Sequence, residues 1–159
     1  MKKNKNLIYL IGMPGSGKTY FGKKLANIFG YEFIDLDFYI EDKENKTIDE
    51  IISETSERYF RNIERKHLMT LALDKIINES KTIISCGGGT PCYMDNIDLM
   101  KRSGEVIYLD TPFFKIYKRC LKSNERPLLK NKFTLFFKLL KIKKRRLQYY
   151  LQADTIIKL

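Results

Sequence analysis

Short apolar runs alternate along the chain with longer stretches in which apolar residues recur at helical spacing. The apolar runs predict five strands, at Leu7–Ile11, Glu32–Asp37, Thr82–Cys86, Glu105–Leu109 and Thr155–Leu159. The stretches between them predict helices at 20–29, 47–52, 56–78, 94–102, 112–122 and 134–152. Strands that alternate with helices indicate an α/β fold. We expect a single domain, a three-layer α/β/α sandwich with a five-stranded parallel sheet as its middle layer.

Polar and glycine residues collect where the predicted strands end. In parallel sheets of this kind, ligands bind beyond the carboxyl ends of the strands. The residues at those ends are Asp35, Asp37, Gly87–Gly89, Asp110 and the loop Gly12–Thr19. We therefore expect the functional site at this edge of the sheet.

The loop Gly12-Met13-Pro14-Gly15-Ser16-Gly17-Lys18-Thr19 matches the pattern G-x-x-x-x-G-K-[ST] at every fixed position. It lies between a predicted strand and a predicted helix, which is the context that this phosphate-binding loop requires. Backbone N–H groups of Gly15, Ser16 and Gly17 can surround a phosphate at the positive end of the helix dipole. Lys18 would reach the outer phosphates, and the Thr19 hydroxyl would bind the accompanying Mg²⁺. The loop predicts that the chain binds a nucleoside triphosphate.

Composition indicates which partners and which cellular compartment suit the protein. Lys and Arg outnumber Asp and Glu by 30 to 19, a formal charge of +11, so nucleic acid, an anionic membrane or a small anionic substrate would all be attractive partners. The cysteines Cys86, Cys92 and Cys120 are odd in number and lack metal-ligand spacing, which is typical of reduced thiols in the cytoplasm. No apolar run approaches the length of a membrane span, and the expectation is a cytoplasmic protein without a membrane partner.

Two acids are candidates for phosphoryl-transfer chemistry. Asp35 and Asp37 are two residues apart on a predicted strand, so we expect both to face the same way. Beside a phosphate loop, one acid can support the magnesium shell through water and the other can accept the proton of an attacking hydroxyl. The alternative is a pair of exposed acids at a strand end.

Arg61 and Glu64 are three residues apart on a predicted helix and can contact each other. Either they form an ordinary surface ion pair, or Glu64 orients the Arg61 guanidinium to grip a substrate carboxylate. The three glycines Gly87, Gly88 and Gly89 remove side chains where a backbone must approach a ligand closely.

Together these residues resemble the shikimate kinase family, over nearly the whole chain. The motifs occur in matching order and approximate spacing: the phosphate loop, Phe33-Ile34-Asp35-Leu36-Asp37, Phe60-Arg61 with Glu64, the triple glycine, Arg126-Pro127-Leu128-Leu129, and Arg145 followed by Tyr149 and Ala153. The resemblance implies a P-loop kinase fold like that of adenylate kinase, with a substrate-binding helical region at about 38–65 and a lid at about 122–134. It also implies transfer of the ATP γ-phosphate to the 3-hydroxyl of shikimate, on the route to chorismate and the aromatic amino acids.

On the acceptor side, the resemblance implies that Asp37 binds the substrate hydroxyls and acts as the base. Arg61 and Arg145 would hold the carboxylate, and Gly88 would donate a backbone contact. Supporting roles fall to Glu64, Gly87 and Gly89. The family's usual proline between Arg145 and the tyrosine is missing here and Arg146 is adjacent, but the spacing to Tyr149 and Ala153 favours Arg145.

On the donor side, the resemblance keeps Lys18 as a catalytic and ATP-binding residue and Thr19 as the Mg²⁺ ligand. Asp35 would act on the metal through water, and Arg126, in the lid, would contact ATP and cover the transferring phosphate. The sequence ends directly after its last predicted strand, where family members usually continue. We therefore expect an adenine pocket that is open on one side.

Two other functions remain open from the sequence. One is a related kinase of another small hydroxylated acid such as gluconate. The other is a nucleotide-gated nucleic-acid binder that uses the basic helix 134–152. We expect the apolar residues of that helix to form a buried stripe, which argues against nucleic acid; they are Phe133, Phe136, Phe137, Leu139 and Leu140. We expect a monomer whose partners are shikimate and ATP.

Overall fold

The structure is a computed structural model that describes residues 6–122 and 132–159. Within these ranges the strands are β1 (Leu7–Ile11), β2 (Glu32–Asp35), β3 (Thr82–Ser85), β4 (Glu105–Asp110) and β5 (Thr155–Lys158). The helices are α1 (Lys18–Phe29), α2 (Leu36–Glu44), α3 (Ile48–Glu54), α4 (Glu57–Ile77), α5 (Asn96–Ser103), α6 (Phe113–Lys122) and α7 (Lys132–Tyr150). A short 3₁₀ turn, Thr90–Cys92, follows β3.

The strands form one parallel sheet in the order β2-β3-β1-β4-β5. Strand β1 lies at the centre, where Tyr9 pairs with Ile84 on one side and Val106 on the other. The loop that follows β1 therefore opens at the middle of the sheet edge, between the ends of β3 and β4. The predicted five-stranded parallel α/β fold is confirmed.

Side chains of the strands alternate between two faces, and each face has its own core. In β1, Leu7, Tyr9 and Ile11 pack into one apolar cluster, whereas Leu10 packs on the opposite face. The second cluster is covered by α1 through Ala26, and the first is covered by the helices that follow in the chain. This period of two is what a sheet buried on both faces requires.

The second strand is shorter than predicted. β2 ends at Asp35 and α2 begins at Leu36, so Asp37 lies in the first turn of a helix. The Asp35 carboxylate caps this helix by accepting a hydrogen bond from the backbone N–H of Asp37 at 3.2 Å. Leu36 and Ile40, four residues apart, are both fully buried, which favours a helix over a strand here. The expectation that Asp35 and Asp37 share a strand face is wrong.

Helix α7 departs in part from the expected buried stripe. Leu139 is buried and Phe136 is partly buried, but Phe133, Phe137 and Leu140 are exposed. The rings of Phe133 and Phe137, one helical turn apart, contact each other with 4.9 Å between centroids. The prediction that the whole set is buried is therefore wrong for three of its five members.

The predicted lid at 122–134 falls mainly on residues 123–131, outside the described residues, and so does Arg126. The lid and the role of Arg126 therefore stay predictions. None of the helices in the described ranges combines the length and the apolar character needed to cross a membrane.

Candidate active site

The glycine loop between β1 and α1 turns sharply at two glycines. Gly15 and Gly17 have φ values of 76° and 97°, in the left-handed region that glycine adopts without strain. The backbone N–H of Ser16 donates to the Met13 carbonyl at 3.1 Å and closes the turn. Because Lys18 begins α1, the loop ends at a helix N-terminus whose first N–H groups lack helical partners. This arrangement favours the binding of a phosphate.

Two polar side chains of the loop are suited to a phosphate. The Ser16 hydroxyl is fully buried and has no hydrogen-bond partner among the residues that the structure describes. The Lys18 ammonium donates to the carbonyls of Gly12 and Met13, both at 3.1 Å. Burial lowers the pKa of Lys18 to about 8, although the nearby Asp37 carboxylate opposes this shift. A bound triphosphate would give both side chains a negatively charged partner.

A second cation, Arg119 of α6, faces the loop. Its Nη1 donates to the carbonyls of Gly15 at 3.1 Å and Ser16 at 3.0 Å. A cavity of about 620 Å³ opens beside it, lined by residues 15–21, Arg119 and Leu159. Sequence reasoning missed Arg119, because it is one of several basic residues on α6 and no spacing singles it out.

Thr19 and Asp35 lie together at the start of α1. The Thr19 hydroxyl donates to the Asp35 carboxylate at 2.8 Å, so two hard oxygen groups are adjacent beside the phosphate loop. Oxygen ligands of this kind are those that Mg²⁺ prefers. The pair fits the Mg²⁺ that accompanies a nucleoside triphosphate.

Asp37 projects from the first turn of α2. Burial raises the pKa of its carboxyl to about 6, helped by the Asp35 and Glu64 carboxylates and opposed by Lys18 and Arg61. A carboxyl with this pKa is mostly ionised at neutral pH yet can accept a proton, which suits a general base.

Arg61 and Glu64 of α4 form the pair predicted from their spacing. Arg61 Nη1 donates to Glu64 Oε2 at 2.7 Å, and Glu57 lies 3.6 Å from Arg61 Nη2. Glu64 is fully buried, so this is not an ordinary surface pair. Burial is the largest single influence and acts to lower the pKa of Arg61, but the carboxylates of Glu64, Glu57 and Asp37 together outweigh it and the net shift is upward. The guanidinium is therefore charged and held in one orientation.

The triple glycine after β3 is where these groups converge. A Cβ atom at Gly87 would lie 2.9 Å from Asp37 Oδ1, and one at Gly89 would lie 2.6 Å from Arg61 Nη2. A Cβ atom at Gly88 would lie 2.8 Å from Cδ of Pro14, in the phosphate loop. Each distance is shorter than real Cβ contacts, so a side chain at any of the three positions would force its neighbour to move; the Pro14 ring beside Gly88 is the least able to do so. The phosphate loop and the acid and arginine of the acceptor side share this backbone as a common wall.

Arg145, the second arginine expected to hold the carboxylate, has an adjacent arginine on α7, Arg146. A Cβ atom at Gly88 would lie 2.9 Å from Arg146 Nη1, whereas Arg145 is exposed. Tyr150, one turn after Arg146, is fully buried, and its hydroxyl donates to the Gly88 carbonyl at 2.6 Å. Burial raises the pKa of the Tyr150 hydroxyl, and the charge of Arg146 opposes that shift, so the two groups interact. The structure thus brings Arg146 to the triple glycine and leaves Arg145 at the rim.

A cavity of about 400 Å³ opens beside Gly89. Four arginines and one acid line it: Arg58, Arg61, Arg145, Arg146 and Glu57. The excess of positive charge suits a small anion, and planar guanidinium groups suit a carboxylate in particular.

The sequence model of the family described as "Shikimate kinase" matches residues 14–159. The chain belongs to the shikimate kinase family. A shikimate kinase of Clostridium botulinum (strain Loch Maree / Type A3) is 42% identical over 152 residues, which cover 94% of this chain and 85% of that relative. The resemblance inferred from the motifs is therefore confirmed.

Two solved structures extend this comparison to the fold. A shikimate kinase from Bacteroides thetaiotaomicron has a TM-score of 0.88 at 34% identity and covers 96% of this chain and 85% of its own. A shikimate kinase from Acinetobacter baumannii, solved in complex with shikimate, has a TM-score of 0.84 at 33% identity, with coverages of 96% and 83%. The predictions of an ATP-dependent phosphotransferase and of shikimate kinase function are confirmed at the level of the family.

Proposed function

We propose that this chain transfers the γ-phosphoryl group of ATP to the 3-hydroxyl of shikimate at the triple glycine. The observation that carries the proposal is the convergence of Asp37, Arg61 and Arg146 on Gly87–Gly89, directly beside Pro14 of the phosphate loop. Because Gly88 approaches Pro14 of the phosphate loop, a phosphate on that loop and an acceptor at the triple glycine would lie close together, which favours direct transfer between two bound substrates.

Arg61 and Arg146 hold the shikimate carboxylate in this proposal. Arg61 is oriented by Glu64, and Arg146 lies against Gly88 and Tyr150, so both guanidinium groups are positioned before the substrate arrives. Preorganised guanidinium groups form two hydrogen bonds to a carboxylate at a smaller entropic cost than mobile ones. Arg145, exposed at the cavity rim, then attracts the anion without gripping it.

Asp37 acts as the general base. The oxygen of the 3-hydroxyl forms a bond to the γ-phosphorus while the bond from that phosphorus to the β,γ-bridging oxygen breaks. The hydroxyl proton passes to Asp37, and ADP leaves with the bridging oxygen. Lys18 neutralises charge on the phosphates, and the resemblance implies that Arg126 contacts ATP and covers the transferring phosphate. Little covalent chemistry is required of the protein, so alignment and charge supply most of the rate.

Mg²⁺ would be held by the Thr19 hydroxyl, with Asp35 acting on it through water. When bound, the ion neutralises charge on the phosphates and fixes their orientation. The adjacent oxygens of Thr19 and Asp35 support this assignment.

The remaining expectations concern partners and location. We propose a cytoplasmic monomer, and the absence of a disulfide at Cys86, Cys92 and Cys120 in the described part of the chain suits a reducing compartment. Shikimate and ATP are the partners. Nucleic acid is not proposed as a ligand, because the arginine-lined cavity suits a small anion.

The decisive experiment measures ADP release from ATP and Mg²⁺ with no acceptor, with shikimate and with gluconate. We expect release to depend on shikimate and to remain near background with gluconate. Mass spectrometry of the product should show one added phosphoryl group. Release that depends on gluconate, or that is equal with and without shikimate, would reject the proposed acceptor.

A further inference from the structure

A buried polar network runs behind the acceptor cavity, and the mechanism above uses only its first member, Glu64. The Glu64 carboxylate has two oxygens to satisfy in a fully buried position. Oε2 accepts from Arg61 Nη1 at 2.7 Å, and Oε1 accepts from the Thr90 hydroxyl at 2.5 Å. Since a buried carboxylate oxygen without a donor is costly, the Thr90 hydroxyl holds the Glu64 carboxylate in the rotation that presents its other oxygen to Arg61.

Thr90 is itself held at both of its polar ends. It directly follows the triple glycine and is fully buried. Its carbonyl accepts a hydrogen bond from Asn96 Nδ2 at 2.8 Å, and Asn96, also fully buried, accepts from Arg65 Nη1 at 2.6 Å. Arg65 and Glu64 are neighbours on α4, so two adjacent residues of that helix reach Thr90 by different routes. Thr90 therefore links the triple-glycine backbone to α4, the helix that carries Arg61.

This network also fixes the distances between the groups that form the acceptor site. A Cβ atom at Gly87 would lie 3.0 Å from Thr90 Oγ1, 3.1 Å from Glu64 Oε1 and 2.9 Å from Asp37 Oδ1. The hydroxyl hydrogen of Thr90 is used on Glu64, which leaves the Asp37 carboxylate available for the acceptor hydroxyl. A small rotation of Glu64 would turn Arg61 away from Gly89.

We propose that Thr90 and Asn96 are positioning residues for acceptor binding, which fix Glu64 and thereby the Arg61 guanidinium against the triple glycine. Neither side chain touches substrate in this assignment; they act through Glu64 and through the glycine backbone. The inference rests on the proposed acceptor site.

The test is Thr90→Val, which removes the hydroxyl while keeping the size and branching of the side chain. We expect the KM for shikimate to rise about tenfold, as the loss of one hydrogen bond to a buried charged group predicts, with the KM for ATP nearly unchanged. Thr90→Ser, which restores the hydroxyl, should bring the KM for shikimate back to within about twofold of the unmodified protein. Asn96→Asp, which replaces the donor to the Thr90 carbonyl with an acceptor, should raise the same KM.

Two further threonines serve as matched controls. Thr111 is buried and donates to the Ser16 carbonyl of the phosphate loop at 2.8 Å, so Thr111→Val should raise the KM for ATP instead. Thr82 is buried at the other end of β3, with its hydroxyl 3.3 Å from Glu32, and Thr82→Val should change neither KM. This pattern separates positioning of the acceptor from general loosening of the fold.

The inference is overturned if Thr90→Val leaves the KM for shikimate unchanged, raises both KM values alike, or is not rescued by Thr90→Ser. If Thr90→Val does not fold, Asn96→Asp and Thr90→Ala decide by the same criterion. A lack of shikimate-dependent ADP release by the unmodified protein would instead reject the proposed function.

Discussion

The carboxylate of Asp35 caps the helix that carries Asp37. One oxygen accepts from the Asp37 backbone N–H at 3.2 Å, and the other accepts from the Thr19 hydroxyl at 2.8 Å. The acid proposed to act on the metal therefore also fixes the position of the acid proposed as the base. The Asp35 side chain thus links Thr19, on the donor side of the site, to Asp37, on the acceptor side.

Two substitutions of Asp35 should separate its roles. Asp35→Asn retains a good N-cap and removes the charge, whereas Asp35→Ala removes both. Thermal or urea unfolding should show a loss of about 1 kcal/mol for Asp35→Ala and less than about half of that for Asp35→Asn. Both variants should need about tenfold more Mg²⁺ for half-maximal turnover. An unchanged Mg²⁺ requirement in both variants would remove Asp35 from the proposed metal site.

Turnover should depend on the ionisation of Asp37. Because its carboxyl has a pKa of about 6, kcat/KM for shikimate should fall as the pH drops below about 6, where the base becomes protonated. Asp37→Asn should lower kcat by at least about a hundredfold while ATP binding, followed by calorimetry, stays close to that of the unmodified protein. A variant with nearly normal turnover would show that another group accepts the proton.

The same substitution should stabilise the fold. The pKa of Asp37 is raised from 3.8 to about 6 on folding, so the folded protein holds this proton more tightly than the unfolded chain. The ionised carboxylate therefore destabilises the folded state above pH 6, and this effect disappears below about pH 4. At pH 7 to 8, Asp37→Asn should raise the free energy of unfolding by up to about 3 kcal/mol, from about 1.4 kcal/mol per pKa unit.

A matched control for this stability test lies on the same helix. The Asp42 side chain is largely exposed, and Asp42→Asn should change the free energy of unfolding by less than about 0.5 kcal/mol. If Asp37→Asn is no more stable than Asp42→Asn at pH 8, or if its gain persists at pH 4, the raised pKa of Asp37 is wrong.

Features of the fold that depend on local sequence could be predicted. The phosphate loop carries its own turn chemistry, with glycine where φ is positive, and the alternation of strands follows from burial on both faces. The bounds of β1 are those that its apolar run predicted. The triple glycine indicates a point of close approach, but the sequence does not show which side chains approach it.

Features that depend on packing between elements could not be predicted from the sequence. Asp35-Leu36-Asp37 continues the alternation of a strand, and only the cap by Asp35 and the burial of Ile40 make it a helix. Arg119 contacts the phosphate loop across more than a hundred residues of sequence, a relationship that no local spacing reveals.

The pKa of Lys18 makes ATP binding dependent on pH. Burial lowers the pKa of its ammonium to about 8, and the phosphates of ATP favour the charged form. Binding therefore takes up a proton above pH 8, and ATP affinity should fall as the pH rises from about 8 to 9.5, whereas Lys18 itself contributes no pH dependence below about 7. Calorimetry should detect this trend, and Lys18→Met should bind weakly with no such dependence. A flat profile in the unmodified protein would contradict the lowered pKa.

The choice between Arg145 and Arg146 is set by the register of α7. The sequence favours Arg145 because Tyr149 follows four residues later, yet the residue buried in the core is Tyr150, whose ring stacks on Tyr108 with 5.2 Å between centroids. Residues four apart lie on one face of a helix, so burial of Tyr150 turns Arg146 toward Gly88. Neighbouring helical residues differ by about 100° in direction, and Arg145 is left exposed at the cavity rim.

Arg146→Ala should therefore raise the KM for shikimate by about ten- to a hundredfold, as expected when a charged hydrogen-bonding partner of a carboxylate is removed. Arg145→Ala, which deletes the same charge one residue away, should change this KM by only about threefold, and salt should screen that smaller effect because Arg145 is exposed. Shikimate titrations of both variants at low and high salt measure the difference. The reverse order, with Arg145→Ala the more damaging at both salt concentrations, would assign the carboxylate to Arg145 and contradict the role proposed for Arg146.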